Sequence, residues 1–142
     1  MQKWILGAGL LAMLSAMPVL ADDKLINQGH EGQTYDYRPA LVHGKLNIVD
    51  FYSEFCPPCR RVMPKLEQLS VKNPNVVVLR VDINRPGHQC IDWGSPVAQQ
   101  YGLHSIPHFV VYDADGKQIA ADAENDQSGS KYVYGMLQQA GL

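Results

Sequence analysis

The chain has 142 residues, with 12 Lys and Arg against 14 Asp and Glu and a formal charge of −2, so its charge gives no reason to expect a nucleic acid or an anionic membrane surface as partner. That length suits one domain with enough interior for a real core, and no repeat or low-complexity run divides it. Three cysteines is an odd number, so one thiol is free or pairs outside any motif that holds the other two.

Residues 1–21 open with one basic residue, Lys3, continue in an apolar run over 4–17 and end in Pro18-Val19-Leu20-Ala21. This is the pattern of a secretory signal peptide cut after Ala21. The run is broken by Gly7, Gly9 and Ser15, and it is short for a membrane span of about 20 residues. The expected product is therefore exported, periplasmic in a Gram-negative bacterium, and soluble after cleavage. Residues 22–41 are polar and carry Gly29, Gly32, Tyr35, Tyr37 and Pro39. They read as an N-terminal arm joining the leader to the fold, with a short strand or turn at 35–40, and residues 42–142 as the folded domain.

Residues 46–52 are apolar and rich in strand formers, and they run into Ser53-Glu54-Phe55 and then Cys56-Pro57-Pro58-Cys59. A buried strand thus ends at two thiols. Past them, Pro57 suits the first turn of a helix, and Val62, Met63, Leu66 and Leu69 recur at helical spacing. A thiol at a helix start faces unpaired N–H groups and the positive end of the dipole, which favour the thiolate. Such cysteines have pKa values of roughly 3.5–7.5, against about 8.5 for a free thiol. Cys56, nearer the exposed end, is the expected nucleophile, and Cys59, one turn in, the resolving thiol. A zinc half-site would need a second ligand pair, for which the chain offers only His88 and Cys90 in an unusual H-x-C spacing. A four-residue staple would remove little chain entropy.

Residues 72–75 stop the helix, and 76–83 are a near-continuous β-branched run interrupted by Arg80, a buried strand. Residues 84–94 form a loop in which Trp93 is expected to cap the core and Cys90 to be a small buried hydrophobe, rather than a client-contacting lip or a third redox thiol. Ser95 and Pro96 open a short helix that Gly102 ends. Residues 104–112 read as a strand with Pro107 near its start, a position that needs a reason. His104 and His108 flank that proline, and neither is assigned a role. A turn at 113–116 joins a strand at 117–121, and 128–140 is the closing helix, capped by Ser128 or Ser130, with Tyr132, Met136 and Leu137 among its apolar positions. Val49, Phe51, Val77, Leu79, Val81, Phe109 and Val111 are the expected core.

Val49 to Arg60, V-D-F-Y-S-E-F-C-P-P-C-R, resembles the active-site segment of the thioredoxin superfamily, whose familiar form has Trp before the first cysteine and Gly-Pro between the two. The likeness runs from about residue 46 to 121 and includes Pro64, where thioredoxins carry a helix-kinking proline. It implies an α/β thioredoxin fold, a central mixed sheet with helices on both faces. It also implies that Asp50 is a buried carboxylate beneath the cysteines that helps to deprotonate Cys59, and that Arg80 pairs with it; from the residues alone, Arg80 could equally snorkel from a strand end. By the same resemblance Pro107 is cis, and Ile106 and Pro107 form a platform for the client chain, with Phe55, Pro57 and Pro58 completing the contact surface. The implied activity is thiol–disulfide exchange that reduces disulfides in exported proteins. The redox-active Cys56–Cys59 disulfide is the only cofactor implied, with no metal. The implied partners are disulfide-bearing clients, possible apocytochromes among them, and a membrane thiol transporter as electron donor, for a monomeric protein. Pro57-Pro58 and Phe55 depart from the familiar motif and leave oxidase or isomerase activity open. From another class, a chaperone, or a copper carrier using Cys56, Cys59 and Cys90, remains a rival reading.

Overall fold

The computed structural model describes residues 23–142; the expected signal segment lies outside them. No helix among the described residues is long and apolar enough to cross a membrane. The elements are strands β1 (Asp23–Leu25) and β2 (Leu46–Tyr52), helix α1 (Pro57–Lys72), β3 (Val76–Asp82), α2 (Pro96–Gln100), β4 (His108–Tyr112), β5 (Gln118–Ala123), β6 (Asp126–Gln127) and α3 (Ser128–Gln139). They build one sheet in the order β1-β3-β2-β4-β5-β6. The β1–β3 and β2–β3 pairs are parallel, and β2–β4, β4–β5 and β5–β6 are antiparallel. This is the mixed sheet with flanking helices expected from the sequence.

β2 and β3 are central and covered on both faces, which is why they read as unbroken apolar runs rather than alternating ones. Val49 and Phe51 of β2, with Val77, Leu79 and Val81 of β3, pack under α2 together with Val97 and Leu103. The alternate residues Ile48, Val78, Phe109 and Val111 pack under α1 and α3 against Val62, Leu66, Val133 and Leu137. All seven expected core residues are buried.

The arm is more than a leader. Its first residues, Asp23–Leu25, add β1 to the outer edge of β3, while of the two forms expected at 35–40 the turn is found, as a 3-10 turn at Arg38–Ala40. Tyr37 is buried beside Phe51 and Tyr101, and its hydroxyl meets that of Tyr112 at 2.9 Å. β4 starts only at His108, because Pro107 has no N–H to give a ladder.

α3 also departs from expectation. Neither Ser128 nor Ser130 is its N-cap; Gln127 holds that position without a side-chain bond. The buried carboxylate of Asp122 on β5 does the capping from outside the helix, accepting the Ser130 N–H at 2.7 Å and the Ser130 hydroxyl at 2.7 Å, and it also accepts the Phe109 N–H at 2.9 Å. Gly129 permits this closeness, since a Cβ there would meet the backbone of Phe109 and Asp122. The buried stripe is Gly129, Val133 and Leu137, leaving Tyr132 exposed.

Candidate functional site

β2 delivers the chain to the site. After Tyr52, the Ser53 carbonyl accepts the Cys56 N–H at 3.1 Å and the Ser53 hydroxyl accepts the Phe55 N–H at 3.1 Å, a turn that points the chain into α1. Cys56 is the N-cap of that helix, with φ −99° and ψ 107°, and it is joined by a disulfide to Cys59, Cα to Cα 5.3 Å. Pro57 and Pro58 occupy the first helical positions and have no N–H to offer. The sulfur of Cys56 therefore draws on the third amide, accepting the Cys59 N–H at 3.2 Å. At the far end of the same helix Asn73 closes the turn through its N–H to the Leu69 carbonyl, and Pro64 is accommodated inside α1.

Both cysteines are covered, Cys56 at 1 % and Cys59 at 0 % exposure. They cluster with Tyr52, and Leu25, Met63, Ile91 and Ile106 pack against the group. The Ile106–Pro107 peptide is cis, and the Ile106 carbonyl oxygen lies 3.5 Å from the Cys56 sulfur. Pro57 and Pro58 are exposed beside the disulfide and Phe55 is half-buried. The structure thus brings Cys56 and Cys59, at the start of α1, together with Ile106 and Pro107 of the loop before β4.

Asp50 is buried on β2, opposite Arg80 on β3 and Phe109 on β4 in register. Neither of its carboxylate oxygens has a hydrogen-bond partner among the described residues. Burial pushes its pKa up to about 7, against the smaller opposing pull of the Arg80 charge. Arg80 does not hydrogen-bond Asp50: its guanidinium bonds Asp23 at 2.6 Å and lies 5.5 Å above the Tyr52 ring. The arm strand β1 supplies that acid, which leaves Asp50 unpaired. A buried carboxyl that holds its proton near neutrality can exchange it with a group beside it.

The loop at 84–94 corrects two expectations. Cys90 is exposed and free, and Trp93 is 39 % exposed. The inward places go to Ile91, which packs against the cysteine cluster, and to Asp92. The loop is clipped by Arg85, which donates to both Asp92 oxygens at 2.7 and 2.9 Å, and by Asn84, which donates to the Cys90 carbonyl at 2.6 Å. Ile91 escaped sequence reasoning; the available signal was an Arg and an Asp placed to close a Pro-Gly loop around it. His108 is buried edge-on to Phe51 at 5.7 Å, and burial lowers its pKa, so it sits neutral in the core. His104 is exposed. Among the described residues no three His, Cys, Asp or Glu side chains are grouped to hold a metal ion.

The family model described as Thioredoxin matches residues 30–133, which hold the Cys56–Cys59 disulfide and the Ile106–Pro107 loop. The chain belongs to the thioredoxin family. Among its relatives, the thioredoxin of Chlamydia trachomatis is 36 % identical over 74 residues, covering 52 % of this chain and 64 % of that one. Thioredoxin-2 of Pyricularia oryzae is 32 % identical over 84 residues, covering 59 % and 44 %. The chain therefore spans less than two thirds of the length of these curated relatives. Two solved structures share the fold. A chain of the complex of ferredoxin:thioredoxin reductase with thioredoxin f2 has a TM-score of 0.55 at 19 % identity, over 87 % of this chain and 99 % of that one. Oxidised thioredoxin O2 from Arabidopsis thaliana has a TM-score of 0.53 at 16 % identity, over 84 % and 94 %. Within this thioredoxin-family chain, the clipped loop carrying Ile91 and the Pro57-Pro58 pair give the disulfide its local surroundings.

Proposed function

We propose that this chain is a thiol–disulfide oxidoreductase that reduces disulfides in exported proteins. The observation that carries the reading is a disulfide at a helix N-terminus beside the Ile106 carbonyl, with the buried, unpaired Asp50 on the strand that leads into it. In the reduced form, the Cys56 thiolate attacks one sulfur of a client disulfide, forming a mixed disulfide and releasing the other client sulfur as a thiolate that takes up a proton. Cys59 then attacks the Cys56 sulfur and frees the second client sulfur. The proton that Cys59 gives up passes to Asp50, whose raised pKa suits it to accept near neutral pH. Two electrons have moved from the chain to the client, and the Cys56–Cys59 disulfide is restored.

The client segment adds beside Ile106 and Pro107 as an extra strand, its backbone bonding the Ile106 main chain, with Phe55, Pro57 and Pro58 as contacts. Export rests on residues 1–21, whose pattern is that of a cleaved signal. In an oxidising compartment the pair needs a donor of two electrons, for which a membrane thiol transporter is the fitting class. The protein acts as a monomer.

Insulin disulfide reduction with dithiothreitol as donor tests the reading. Cys56→Ser abolishes the reaction, and Cys59→Ser accumulates a mixed disulfide with the client that reductant removes. Wild-type rates in Cys56→Ser would reject the proposal.

A further inference from the structure

Tyr134 on α3 separates two hollows next to the disulfide. One is lined by Pro58, Arg61, Val62, Lys65 and Tyr134. The other runs from Pro107 past Tyr134 to Lys131 and Asp122. Both are lined by Tyr134, so they adjoin and together offer a groove between Pro58 of the Cys-Pro-Pro-Cys turn and the cis-proline loop. The Tyr134 ring is 45 % exposed and lies edge-on to Phe109 at 6.2 Å, between the two hollows.

Its charge is of one sign. Arg61, Lys65 and Lys131 are exposed, and none makes an ion pair among the described residues, whereas Arg38, Arg80 and Arg85 are each paired with an aspartate. The one acid in the lining, Asp122, is buried and committed to the Phe109 and Ser130 groups that it caps. Three uncommitted cations thus gather at the site on a chain whose formal charge is −2.

We infer that this groove docks an acidic stretch of the client polypeptide next to its reactive cysteine. The inference rests on the oxidoreductase reading and adds the class of client. A segment lying along Ile106 and continuing past Pro107 brings its next residues over Tyr134 and between Lys131 and the Arg61–Lys65 pair. Exposed cations of this kind speed encounter with an oppositely charged segment and are screened by salt.

The test uses three otherwise identical disulfide-linked fluorogenic peptides, with Glu, Ser or Lys flanking the cysteine, and the exposed triple variant R61E/K65E/K131E. For wild type, kcat/KM is highest for the Glu peptide, and about 0.5 M NaCl erases the preference. The variant loses about tenfold on the Glu peptide at low salt, gains on the Lys peptide and is unchanged on the Ser peptide. Equal effects on all three peptides, or none, would overturn the inference while leaving disulfide reduction standing. A fluorescein-labelled Glu peptide with Ser in place of its cysteine provides a readout free of redox chemistry. It binds wild type more tightly than the Lys version and loses that margin in the variant. Equal binding of the two labelled peptides to wild type contradicts the docking, whatever the reductase assay gives.

Discussion

Replacing Asp50 with Asn tests the electrostatics at the centre of the site. The native carboxyl is fully buried, without a hydrogen-bond partner, and its pKa is pushed from 3.8 to about 7. The folded protein thus keeps a proton that the unfolded chain has already released, and ionising Asp50 costs folding free energy. The sign follows: wild type loses stability as pH rises from about 4 to about 7, and this contribution is level on either side. A rise of about 3 units at 1.36 kcal/mol each sets the full cost on the order of 4 kcal/mol, of which about 3 kcal/mol falls between pH 5 and pH 8. Asn has a similar shape and cannot ionise. The stability of Asp50→Asn minus that of wild type should therefore increase by about 3 kcal/mol from pH 5 to pH 8. Urea unfolding of the oxidised proteins, followed by far-UV circular dichroism at pH steps between 4 and 9, measures it. Titrations common to both proteins cancel in the difference. A difference that stays flat across that range would refute the reasoning, because Asp50 would then titrate alike in the folded and unfolded chain.

Cys90 should react with a maleimide in the native oxidised protein, one label per chain without denaturant, at the rate of an exposed free thiol; protection until unfolding would contradict its placement. Gly129→Ala puts a methyl group into the backbone of Phe109 and Asp122, and calorimetry should show a loss of roughly 1–3 kcal/mol with the fold retained. Asp122→Ala strands the Phe109 and Ser130 N–H groups and should cost about 1–3 kcal/mol by urea unfolding, with faster hydrogen exchange in the first turn of α3.

What could be read from the chain is what is local. β2 and β3 announce themselves because a strand covered on both faces is a run of apolar residues, and α1 because Pro57 and the 62–69 spacing mark its start and its inner stripe. Ser95 indeed caps α2, accepting the Ala98 N–H at 3.3 Å. The misses are long-range. Arg80 finds Asp23, 57 positions away, through an edge strand too short to carry a period. The cap of α3 is an aspartate on a neighbouring strand, and a serine at a helix start cannot reveal that its amide is already served. Cys90 and Trp93 are residue types usually found inside, yet the Arg85–Asp92 clip turns Ile91 inward and leaves them outside. The meeting of the Cys56 and Ile106–Pro107 segments, 50 residues apart, is implied only by the resemblance to thioredoxins, and the contact of the Cys56 sulfur with the Ile106 carbonyl itself is not anticipated.

A redox titration with thiol counting reads out whether Cys56 and Cys59 act as one redox pair. The protein is equilibrated in dithiothreitol buffers of graded potential, quenched in acid and tagged with a mass-shifting maleimide. Cys56 and Cys59 should become taggable together along a two-electron curve, with Cys90 tagged at every potential. A pair that never opens, cysteines that open separately, or a disulfide that includes Cys90 would contradict this.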